Sequence, residues 1–135
     1  NFSSIKMKYE YAPDIQAIAI EMSRLLFPHV QVNNIMCFRS YGTSSKRTIA
    51  RCHALGKIMQ KSLGRTSAFY TLEFLTEQFN KLKEEDKLKT ILHELMHIPN
   101  TFGGGFKHHD FVTEKNVEKH YIAYQQKKNE SQTYL

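Results

Sequence analysis

The chain has 135 residues, one ordinary domain's worth, and 41% hydrophobic and 12% aromatic residues let it bury a core without help from disulfides or metal. Its net charge of +6 suits acidic partners, nucleic acid among them, although lysines spread over exposed helix faces give the same arithmetic and no dense Lys/Arg block is present. No stretch approaches the ~18 apolar residues of a membrane span, and no charged start followed by an apolar run and a small-residue cleavage site is visible.

Residues 1–10 read as a lead-in. The first residue is Asn1 rather than Met, which points to a segment upstream. Pro13-Asp14 opens a helix, with proline tolerated in the first turn and aspartate near the positive end of the dipole. Ile15, Ile18, Ala19, Met22, Leu25 and Leu26 recur at helical spacing, and Phe27-Pro28 closes the element. Val32 to Arg39 reads as a strand, Ser40 to Lys46 as a polar loop, and Thr48 to Leu55 as a half-buried strand alternating Ile49, Arg51 and His53 against Ala50, Cys52 and Ala54. Gly56 and Gly64 bracket a stretch around Ile58-Met59 that fits no single period.

A further strand is expected from Ala68 to Phe74. Lying just before the next helix, it is suited to take an extended peptide by β-addition. Phe79 and Leu82 belong to a short helix or turn. Lys83-Glu84-Glu85-Asp86 puts three acids in the first turn of a helix that runs to about Ile98, because Pro99 disfavours helical geometry in the residue before it. Asn100 to Gly105 is a loop with three consecutive glycines. A last helix is expected from about Asp110 to Gln126, with Val117, Tyr121 and Tyr124 on one face and a polar tail from Lys127. Helices and strands in this order, without repeat or boundary, make residues 1–135 a single α+β domain.

Cys37 and Cys52 have no CxxC spacing, so a cysteine metal knuckle is not expected. A reduced, cytoplasmic setting is the default, and pairing stays open if the two lie on neighbouring strands.

The chemistry concentrates in His93-Glu94-Leu95-Met96-His97, an HExxH sequence. Two histidines one helical turn apart can hold one Zn2+ from a single face, and the adjacent glutamate can act as general base. Leu88, Ile91, Leu92 and Leu95 form the apolar stripe of this helix. At ~100° per residue, His93 and His97 point away from it, towards a cleft or solvent, with Glu94 beside them. The plain alternative is a solvated polar face.

A catalytic zinc takes three protein ligands and leaves one position open. The third is expected from His108 or His109, which the glycines allow to turn back, with Glu114 and Glu118 as carboxylate rivals. Asp110 suits either orienting a ligand imidazole or capping the last helix. His120 and Tyr121 are candidates for oxyanion stabilisation that no pattern supports. His29 and His53 read as surface or strand histidines.

The run His93 to Pro99, followed by Thr101-Phe102, Gly104-Gly105 and His109, resembles the archaeal and phage zinc metallopeptidases. So do Cys37-Phe38-Arg39-Ser40-Tyr41-Gly42 and the segment from Phe69 to Leu82; together the resemblance covers roughly residues 10–125. It implies a small zincin-like fold, similar to SprT-like proteases, with a short twisted sheet, an active-site HExxH helix and flanking helices. It implies a zinc peptidase acting on peptide or protein, with His93, His97 and His109 as ligands and Glu94 as base. The family's GGLRPH-like pattern maps its histidine onto His109, with His108 standing where the family tends to have proline. No zinc ribbon or other DNA-binding module is present, so a DNA-linked substrate does not carry over. The competing readings are a non-catalytic zinc-binding or interaction domain, with a fourth protein ligand closing the open position, and a basic nucleic-acid-associated protein.

Overall fold

The computed structural model describes residues 6–108 and 110–133. Among them, four strands form one mixed sheet accompanied by five helices. The elements are β1 (Lys8–Tyr11), α1 (Pro13–Leu26), β2 (Ile35–Tyr41), β3 (Ala50–Ala54), α2 (Lys57–Ser62), β4 (Tyr70–Leu75), α3 (Thr76–Phe79), α4 (Glu84–Met96) and α5 (Glu114–Thr133). The sheet order is β1-β2-β4-β3. β4 runs parallel to β2 and antiparallel to β3, while β1 pairs antiparallel with the outer side of β2.

This order corrects two expectations. Part of the lead-in is a strand: Lys8–Tyr11 pairs with Phe38 to Tyr41, though all four of its residues are exposed. The strand beginning near Ala68 is β4, flanked on both sides, so it has no free edge for β-addition. The free edges belong to β1 and β3.

Alternation sorts the side chains of the sheet into two faces. Ile35 and Cys37, Leu72 and Phe74, and Ala50 and Cys52 share one face through the register of β2, β4 and β3, and they join the main core. Ile15, Ala19 and Met22 from α1 and Ile91, Leu92 and Leu95 from α4 complete that core, which is the stripe pattern expected of both helices. Buried Gln16 ties α1 to the sheet. Its Nε2 donates to the Ile35 carbonyl at 3.0 Å, and its Oε1 accepts from the Cys37 amide at 2.7 Å. Val117 and fully buried Tyr124 lay α5 across the two helices, and the Tyr124 hydroxyl donates to Glu21 of α1.

α5 starts later than expected. Its N-cap is Thr113, whose Oγ1 accepts from the Asn116 amide at 3.2 Å, so Asp110 is not the cap; it lies exposed in the preceding turn. The helix continues to Thr133, past the polar tail predicted from Lys127, because Tyr124 and the Lys127 and Lys128 contacts with α1 hold it down.

Candidate active site

The HExxH residues occupy the end of α4. His93, Glu94, Leu95 and Met96 lie in the helix and His97 caps it, still in helical conformation. The last turn tightens, with the His97 amide donating to the Glu94 carbonyl at 3.2 Å. The His93 and His97 rings therefore stay neighbours, with centroids 5.0 Å apart and planes at 72°.

Glu94 is not on an open polar face. The residue is 5% exposed, and its charge adds to burial, the larger cause, in raising the pKa of the Cys52 thiol of β3. Burial pushes the Glu94 carboxyl up to about 7. The helical wheel places Glu94 near the edge of the apolar stripe, and the sheet closes over that edge. His93 is half-buried, and desolvation lowers its pKa, which favours the neutral imidazole a metal requires.

His93 and Glu94 line a cleft of about 650 Å³. Ile49 and Ala50, at the start of the β3 edge, form one wall; Leu82 and Lys89 form another; Val112, Val117 and Glu118 of the α5 region close it. Glu118 is engaged by Lys89 at 2.6 Å, and Lys89 also holds Glu85 at 2.7 Å. Glu114 lines the same cleft.

The glycine run is a strap rather than a free hinge. Gly104 has φ of +106°, and a Cβ there would lie 2.6 Å from the Leu55 carbonyl and 2.7 Å from Gln60 Nε2. The Gly104 amide donates to the Tyr70 hydroxyl at 2.9 Å, and that hydroxyl donates to the Gly105 carbonyl at 2.7 Å. Gln60 Nε2 donates to both the Leu55 and Gly103 carbonyls. Beyond the strap, the Lys107 amide donates to the His97 carbonyl at 2.8 Å, so the chain entering His108 passes directly beside the end of α4. His108 is exposed, and its carbonyl accepts from the Phe111 amide. His109 lies outside the described residues.

The remaining candidates sit apart from this cleft. His120 stacks on Phe27 with 5.4 Å between centroids and binds the Asn116 carbonyl through Nδ1. Tyr121 lies beneath the Lys89 ammonium. His29 reaches the Ile98 carbonyl at 3.1 Å. His53 meets Glu73 at 2.7 Å on the sheet face opposite the core.

A family model described as putative phage metallopeptidase matches residues 7–132. The chain belongs to that family. Membership makes the protein a metallopeptidase, and so implies a working metal and protein substrates. No curated protein and no solved structure gives a significant match. The metal fits what α4 offers: two imidazoles one turn apart, one of them biased neutral, with a carboxylate between them in sequence. Among the described residues no group of three or more His, Cys, Asp or Glu side chains is placed to hold a metal ion. No helix among the described residues is long and apolar enough to cross a membrane.

Buried Glu73 was not anticipated from sequence. It stands in a strand of otherwise apolar and hydroxyl residues, and the cross-strand position of Arg51 was its only signal. Cys37 and Cys52 are free. β4 lies between their strands, which puts them roughly two strand spacings, ~9–10 Å, apart and beyond disulfide reach.

Proposed function

We propose that this protein is a zinc-dependent peptidase of zincin-like architecture, with His93 and His97 as two ligands, His109 as the third and Glu94 as general base. The observation that carries the reading is the pairing of His93 with a buried Glu94 on one cleft whose wall begins at a free strand edge. His108 is the alternative third ligand. The Lys107 amide bond to the His97 carbonyl brings the chain that precedes both histidines to the end of α4, which supports a third ligand from this segment.

Bound zinc would supply Lewis acidity, lowering the pKa of a coordinated water and polarising the substrate carbonyl. The rest falls to the chain. Glu94 takes the proton from the attacking water and passes it to the leaving amine, and a carboxyl raised towards neutrality is matched to both transfers. Its burial keeps competing bulk water away from the exchange. The β3 edge offers unpaired amides and carbonyls to an extended substrate backbone, so a peptide can lie as a fifth strand beside α4. Leu82, Val112 and Val117 give the cleft an apolar lining for a neighbouring side chain.

The test joins metal analysis to turnover. Wild type is expected to carry about one zinc per chain and to cleave a peptide library. His93→Ala should lose the metal. Glu94→Gln should keep it and lose ~10²–10⁴-fold in kcat/KM. Cleavage by Glu94→Gln at the wild-type rate overturns the mechanism.

A further inference from the structure

The positive charge of this protein is segregated along the chain. Residues 22–72 contain eight of the nineteen lysines and arginines and none of the thirteen aspartates and glutamates, so the rest of the chain is slightly acidic. The fold brings most of those cations to the β3 side of the sheet. Arg39 is consumed by a bidentate pair with Asp14, and Arg24 lies on α1. The other six flank the β3 edge in sequence: Lys46 and Arg47 precede it, Arg47 also lining the cleft of His93 and Glu94, Arg51 lies within it, and Lys57, Lys61 and Arg65 follow it. All but half-buried Arg65 are exposed.

The sheet face beside this ridge carries rings. Thr71, Glu73, Arg51 and His53 point away from the core by alternation, as do Phe38 and the β1 residues Tyr9 and Tyr11. Tyr9 is 60% and Tyr11 44% exposed. Phe69, on the same side as Thr71, is partly open with the Arg65 guanidinium 5.4 Å above its ring. Phe69, Arg65, His53, Leu55 and Leu63 surround a shallow pocket of about 380 Å³, room enough for a planar heterocycle. The acid on this face is Glu73. It is buried and already answered by His53 at 2.7 Å and Arg51 at 3.6 Å. An approaching polyanion therefore meets cations at the ridge and aromatic surface behind them.

We infer that this face binds single-stranded nucleic acid, the backbone tracking the cations from Lys46 to Arg65 and a base stacking at Phe69. A duplex keeps its bases stacked inside and offers none to that ring. An acidic peptide matches the charge and has no use for the ring. The inference concerns binding alone and does not depend on peptide hydrolysis.

Fluorescence anisotropy with a labelled thymidine oligomer of about 20 nucleotides, its duplex and a polyglutamate of similar charge separates these partners. Wild type is compared with two variants: the exposed pair Lys57→Glu/Lys61→Glu, and Phe69→Leu, which keeps apolar volume without a flat ring. Circular dichroism confirms folding of each. Expected are binding of the single strand at about 50 mM salt, with a log–log salt slope near about −3 for some four phosphate contacts, and a loss of ~10-fold or more in the double charge reversal. Phe69→Leu should weaken the single strand by ~5-fold or more and leave polyglutamate unchanged. The inference is overturned by no single-strand binding at low salt, by duplex bound as tightly, or by a Phe69→Leu variant that binds the single strand as wild type does.

Discussion

Glu94 carries opposed demands. A base must be close to water, yet the residue is 5% exposed and its carboxyl holds its proton up to about pH 7 in the metal-free fold. In the unfolded chain it releases that proton near its ordinary value of 4.5. The folded state therefore binds more protons between those two values, and the stability of the metal-free protein should fall as pH rises from about 4.5 to about 7, then level off. The expected size is about 3 kcal/mol. Glu94→Gln should flatten this slope and raise the melting temperature of the metal-free protein at pH above 7, while abolishing hydrolysis; a calorimetric pH series on both proteins checks it. The HExxH spacing identified the motif residues, but not this burial. The wheel angle of Glu94 is borderline, and only the sheet's position decides which side of that border is covered. Glu73 is the same lesson on the opposite face: an acid in a strand reads as solvent-facing until Arg51 and His53 are found beside it.

Among the elements, the glycine strap is where sequence reading was most misleading. Three glycines suggest a loose turn. One of them, Gly104, is held at a left-handed φ against a carbonyl, and the non-glycine Phe102 beside it also has φ of +48°. Gly104→Ala should cost at least ~2 kcal/mol, read from chemical denaturation, because both the conformation and the space are denied to a Cβ. Tyr70→Phe tests the strap's other half. It removes the hydroxyl that serves the Gly104 amide and the Gly105 carbonyl, and should cost ~1–3 kcal/mol with faster hydrogen exchange at Gly104. The long amphipathic helices were easier. α1 and α4 follow their apolar periods within two residues at each end, since burial of a stripe dictates both pattern and element. β1 was missed because its four residues are all exposed and carry no burial signal; it exists through pairing with β2 alone.

For the whole molecule, the α+β class followed from the order of periodic segments, while strand order did not. No local pattern announces that β4 inserts between β2 and β3. That insertion keeps the two thiols on separate strands, so mild oxidation of the folded protein should leave two free thiols by titration and an unchanged melting temperature. Buried Cys37 has its thiol pushed up to about 12 by desolvation, which further suppresses its reaction.

The same insertion has a consequence for synthesis. β3 leaves the ribosome before β4, the one strand it pairs with among the described residues. A nascent chain ending short of Leu75 lacks the strand that β2 and β3 both pair with, and the motif helix follows only after that. The cleft draws its walls from the β3 edge, α4 and α5, so it closes only once α5 has been made.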